Sequence, residues 1–244
     1  MVMEHGVIKR FGARLVAAAL ACASWGCQAQ DVDAERSARD LGLGADFRGA
    51  AIAEFKAMGF AMDVRSALMG EGAGALPEWV VREAAAAPRA SIFSVARGHG
   101  SGAVCWVGLR PERARTAPER MLATAAASFG APKEAVWRAM FRHELGHCAL
   151  AMMSSREGAP DVFMAEPFAD VFGLDWARRA EPQGELLVEA YAKARRRVSG
   201  GAHGTWSELE RWRSMPSAKS PCLAAWAVAP IDARAAAQAC PRPG

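Results

Sequence analysis

The most constraining feature of this chain is the octapeptide Phe141-Arg142-His143-Glu144-Leu145-Gly146-His147-Cys148, which contains a His-Glu-x-x-His motif. The run from Pro132 to Met153 reads as a helix: it opens with proline, continues with strong helix formers, and places Val136, Met140, Leu145 and Ala149 at apolar spacing. On such a helix His143 and His147 are i and i+4, so both imidazoles lie on one face and can grip a single cation. Glu144 stands about 100° further round, where it reaches a water on that cation without being a ligand. The competing reading is a helix with two partly exposed histidines and a solvated glutamate. It is weakened by Met140, Phe141, Leu145, Gly146, Cys148 and Ala149, which are uncharged and predict a mostly buried helix. Histidines placed there need partners. Downstream, Glu166-Pro-Phe-Ala-Asp170 offers two carboxylates, again at i and i+4.

His-Glu-x-x-His followed on a second helix by Glu-x-x-x-Asp resembles the pattern of the gluzincin zinc metallopeptidases. The 19 residues from His147 to Glu166 are similar to the spacing of the compact, thermolysin-like members, and Glu166-x-x-Ala169-Asp170-x-Phe172 looks like their glutamate helix. Val104-Cys105-Trp106-Val107, read as a strand before the active helix, is similar to a group of uncharacterised bacterial metallopeptidases. The resemblance covers roughly Ala90 to Arg179. It implies a zinc ion (Zn2+) held by His143, His147 and Glu166 with water in the fourth place, and Glu144 as general base for peptide hydrolysis. Asp170 would accept the remaining ring N–H of a ligand histidine, or else be a helix-surface carboxylate. His203, in a glycine-flanked loop, is the first candidate for stabilising an oxyanion, and Tyr191 the second. Two other classes compete: a non-catalytic zinc-binding envelope protein whose metal clamps two helices, and a metal-free helical interaction protein.

The N-terminus bears on compartment. Lys9, Arg10 and Arg14 precede the apolar run Leu15–Trp25, which is too short for a stable bilayer anchor, and Cys27-Gln28-Ala29 offers a small-x-small cleavage site. Residues 1–29 therefore read as a secretory signal peptide, with a lipid anchor at Cys27 or Cys22 as the alternative; no later run reaches transmembrane length. Loss of that segment takes the net charge from +4 to near +2, which is no nucleic-acid footprint. Cys105, Cys148, Cys222 and Cys240 remain. An even number in an oxidising compartment suggests two disulfides, and Cys105–Cys148 with Cys222–Cys240 is the favoured pairing of the three. Four reduced thiols are the alternative. Cys148 as a metal ligand is unattractive, because it adjoins His147 and points about 100° away from the metal face.

A chain of 244 residues with 52% hydrophobic and 23% charged residues can bury one substantial core. We expect a flexible lead-in over 30–45 and a single compact domain over 46–244. Helices are predicted over Asp46–Met58 with Asp46 as N-cap, Glu78–Ala87, Glu119–Phe129, Glu166 or Pro167 to Ala180, and Gly184–Arg197, with Thr205 capping another from Trp206 to Ser214. Pro167 argues that the fourth of these begins at Glu166 or Pro167, since proline belongs in a first turn. Ser91–Ala96 and Ala103–Leu109 read as a β-hairpin around Gly98–Gly102, with His99 a solvated loop residue. The expected fold is α+β: a mainly helical, zincin-like domain with a small antiparallel sheet beside the His-Glu-x-x-His helix. The expected partner is a peptide or protein substrate, peptidoglycan stem peptides included.

Overall fold

The computed structural model describes residues 32–69, 76–98, 100–153 and 162–198. These form seven helices and three strands: α1 (32–40), α2 (Ala45–Ala57), β1 (Asp63–Leu68), α3 (Glu78–Ala86), β2 (Ile92–Arg97), β3 (Val104–Leu109), α4 (Pro118–Ser128), α5 (Lys133–Met153), α6 (Val162–Ala180) and α7 (Gly184–Val198). The architecture is mainly helical with one small mixed sheet, which fits the α+β expectation.

α5 is the axis of the molecule. Its Val136, Ala139, Met140, Phe141, Leu145, Cys148 and Ala149 are all buried, covering more of its circumference than a surface helix would bury. α6 packs along one side, the sheet on another, and α4 and α7 close the remainder. Phe55, Phe60, Phe168, Phe172 and Trp176 stack edge and face between α2 and α6. The Cys105–Cys148 disulfide is present and joins β3 to α5 directly after His147, across 43 residues of chain. On a chain-entropy basis, closing a loop of that length stabilises the fold by about 4 kcal/mol. Cys222 and Cys240, and with them the second expected disulfide, lie outside the described residues, as do the signal segment, His99 and the helix expected from Trp206.

Three expectations need correction. First, β2 and β3 pair antiparallel as a hairpin, with Ile92 opposite Leu109 and Arg97 opposite Val104, but β1 lies parallel on the other side of β3. The sheet is therefore mixed, in the order β1-β3-β2. Second, residues 32–40 are a helix rather than a flexible lead-in. Ala38 is fully buried, and Glu35 accepts the Ala45 backbone N–H at 2.8 Å and pairs with Arg48 at 2.9 Å. Glu35 thus supplies from outside the capping acceptor expected of Asp46, which sits in the first turn of α2 while Gly44 is its N-cap. Third, α6 begins at Val162, so Pro167 lies past the first turn, where its lack of an N–H costs the helix one i→i−4 bond. Glu166 stands inside the helix and not at its tip.

Below the site, Glu181 receives Arg138 (2.6 Å) and Arg142 (2.6 Å), while the Arg142 guanidinium also lies over Trp176. Arg142 and Glu181 are both buried. Burial pushes the Glu181 carboxyl up, but hydrogen bonds and charge from the two arginines outweigh it and hold the pKa below the usual range. A depressed carboxyl contributes stability above its unfolded pKa of about 4.3 and loses it as pH falls through the folded value. Glu181→Gln should therefore cost about 3 kcal/mol at pH 7, as expected for a buried pair that loses one partner. Denaturant titrations across pH should show the gap to wild type closing below about pH 4.3. A gap that stays constant down to pH 3 would contradict this assignment.

Candidate metal centre

Two helices must touch for the site to exist. A Cβ built on Gly173 of α6 would lie 2.6 Å from the His143 backbone nitrogen, and one on Gly146 of α5 would lie 2.9 Å from the Ala169 Cα. Neither approach leaves room for a side chain. At this contact His143 and His147 on α5 face Glu166 and Asp170 on α6. His143 Nε2 is 3.1 Å from His147 Nε2 and 3.4 Å from Glu166 Oε2, and His147 Nε2 is 3.4 Å from Glu166 Oε1. Donors about 2.0–2.1 Å from a tetrahedral ion stand about 3.3–3.4 Å apart, so the two imidazole nitrogens lie near ligand spacing and each stands at that spacing from one of the two Glu166 oxygens. Among the described residues they form the one group of histidine, cysteine and carboxylate side chains able to hold a metal ion.

Electrostatics agree with the spacing. Asp170 is fully buried and accepts from His143 Nδ1 at 2.9 Å, Tyr191 Oη at 3.0 Å, and Arg195 Nε and Nη2 at 3.2 and 3.1 Å. Burial raises its pKa, yet the charges of Arg195 and His143 bring it down to about 2, so it is an ionised, accept-only group. His143 must then keep a proton on Nδ1, so Nε2, facing Glu166 and His147, is the nitrogen whose proton a cation can displace. Acceptors converging this closely call for positive charge between them. The titration of His143 expresses that demand: burial alone would lower it, but Asp170, Glu166 and Glu144 raise it to about 10. Glu166 shows the converse. Burial would raise it, and both histidines hold it far below the carboxylate range.

Glu144 sits beside the ligand triangle, outside it, and accepts a 2.7 Å hydrogen bond from Ser94 Oγ on β2. A cavity of about 560 Å³ opens in front of these groups, walled by Phe93, Leu122, Met140, Tyr191 and Arg195. His147 and Glu166 are partly exposed to it, while His143 is buried behind them.

The structure thus brings His143, His147, Glu166, Asp170 and Glu144 together as the sequence suggests. His203 lies outside the described residues. Tyr191 has a different place from the oxyanion role expected of it: its buried hydroxyl donates to Asp170. Burial, despite opposition from Arg195, holds that hydroxyl's pKa well above the ordinary value. Sequence reasoning misses two residues. Arg195 reads as a member of a solvated basic run, although its i, i+4 spacing from Tyr191 puts both on one face of α7. Ser94 reads only as a strand residue, although it is the sole hydroxyl in Ile92–Arg97.

No protein-family model, no curated protein and no solved structure matches the chain. Its class rests on fold and site alone: a mainly helical chain with a three-stranded mixed sheet and a two-histidine, one-carboxylate cluster between α5 and α6.

Gly173→Ala tests the helix contact. The added methyl must push α6 away from the His143 backbone, costing about 1–3 kcal/mol, and metal affinity at this candidate cluster should fall at least tenfold (~1.4 kcal/mol) in competitive chelator titrations. Gly49→Ala, where a Cβ meets nothing within 4 Å, serves as the control and should leave that affinity at the wild-type value. Unchanged affinity in Gly173→Ala would contradict the requirement for close approach.

Proposed function

We propose that this protein is an exported, zinc-dependent peptide hydrolase of gluzincin type. The observation that carries the reading is the tetrahedral-edge spacing of His143 Nε2, His147 Nε2 and the Glu166 carboxylate, with a second carboxylate, Glu144, held beside them and not used as a ligand. Two imidazoles and one carboxylate are a donor set that suits zinc and leaves one coordination position for water or substrate. Held by His143, His147 and Glu166, zinc would supply Lewis-acid polarisation of a scissile carbonyl and would make water a better nucleophile near neutral pH.

The remaining work belongs to the chain. Glu144 takes a proton from the attacking water and later delivers it to the leaving amine, so one carboxylate serves as base and then acid. Asp170 fixes the tautomer of His143 and raises its basicity as a ligand. Arg195 and Tyr191 keep Asp170 ionised and oriented at full burial, a charge that would otherwise be costly to desolvate. The cavity beside these groups has both apolar and carboxylate walls, and it receives the peptide or protein substrate. Export accords with the Cys105–Cys148 disulfide, which persists in oxidising compartments, and with the basic-then-apolar N-terminal segment. Among the described residues no helix is long and apolar enough to cross a membrane.

The Glu144→Gln variant separates a hydrolase from a structural zinc clamp. Metal analysis should give one zinc per chain in wild type and variant alike, and turnover of a peptide library should fall by about a thousandfold in the variant. Wild-type turnover in Glu144→Gln, or loss of its zinc, would overturn the assignment of Glu144 as the base.

A further inference from the structure

β2 is the strand nearest the catalytic helix, and alternate residues Ile92, Ser94 and Ala96 all line the cavity. Two of these are apolar. The third, Ser94, reaches across 50 residues of sequence to donate to Glu144 Oε2 at 2.7 Å, the short distance of a charge-assisted O–H···O⁻ bond. Glu119 of α4 lines the same cavity and is raised by burial and, more weakly, by the like charge of Glu144. A Glu144 carboxylate without an anchor would therefore turn away from Glu119 and could settle in more than one rotamer. A carboxylate has two oxygens, and Ser94 occupies one of them. Oε1 is then the oxygen that Ser94 does not engage, on a side chain that lines the cavity together with His143 and His147.

We propose that Ser94 is the positioning residue of the general base: its hydroxyl holds Glu144 in the single rotamer that presents Oε1 to the nucleophilic water. The inference rests on the hydrolase reading above and deepens it. The bond is not needed to seat α5 on the sheet, because Cys105–Cys148 and the buried Val107, Leu109, Leu145 and Ala149 already do so. Ser94 makes no contact with the metal-ligand atoms, so its loss should leave the affinity for zinc intact.

The test uses the mature protein loaded with zinc, with Ser94→Ala and Ser94→Thr beside wild type. Ser94→Ala should lower kcat on a cleaved peptide by about 10–100-fold while KM stays within about twofold, the pattern of a lost transition-state orientation. Zinc content should remain one per chain. Ser94→Thr, which keeps the hydroxyl, should recover kcat to within about threefold of wild type. Crystal structures give a readout independent of turnover: one Glu144 rotamer in wild type and Ser94→Thr, and two or more in Ser94→Ala. A kcat within twofold of wild type in Ser94→Ala, or an unchanged single Glu144 rotamer there, would overturn the proposal while leaving the hydrolase reading standing. A zinc-loaded wild type that cleaves no peptide would overturn both.

Discussion

Everything in this molecule depends on α5 and α6 lying in backbone contact. Helices that meet through large side chains keep their axes about 8–10 Å apart, and the short carboxylate arms of Glu166 and Asp170 would then fall short of the α5 imidazoles. Gly146 and Gly173 remove the obstruction from opposite sides, each where a single methyl would strike the partner's backbone. Ala139 and Ala169 keep the seam narrow on either side of those glycines. Phe172, an aromatic side chain that would pry the seam open, turns instead toward Phe55 of α2.

The second organising feature is charge balance around a buried acid. Asp170 is fully buried, and an unpaired carboxylate there would cost several kcal/mol. His143, Tyr191 and Arg195 offset that cost with four donor contacts, three of them from α7. α7 is thus tied to α6 by electrostatics as well as by packing. Moving any of the three partners would disturb the tautomer of His143, and through it the lone pair offered to a cation. The Glu181 cluster has a parallel role below the site, fastening Arg138 and Arg142 of the same helix. On α5 the ion-paired Arg138 and Arg142 thus directly precede the His143–His147 pair.

The legible features of the site are those whose partners are close in sequence. His143 with His147, and Glu166 with Asp170, are each i and i+4, a spacing that converts directly into a shared helix face. The β2–β3 hairpin is legible because its turn is local. What the sequence hides is non-local. β1 carries only one β-branched residue, Val64, and is recruited as a strand by pairing with β3 some forty positions away. α1 looks like a charged leader until Glu35 finds the start of α2. Arg195 sits in a run of three arginines whose simplest reading is a solvated helix end. Only the packing of α7 on α6 reveals that the first of them turns inward. Pro167 misleads for another reason: a helix wedged between α5 and α7 tolerates one missing hydrogen bond that an isolated helix would not.

The decisive quantity is the position of a bound metal ion. Anomalous diffraction at the zinc edge from crystals of the protein measures that position directly. It should show one ion about 2.0–2.2 Å from His143 Nε2, His147 Nε2 and a Glu166 oxygen, with no protein atom in the fourth position. An ion held at another site, a fourth protein ligand closing the shell, or Glu166 turned away from the histidines would contradict it.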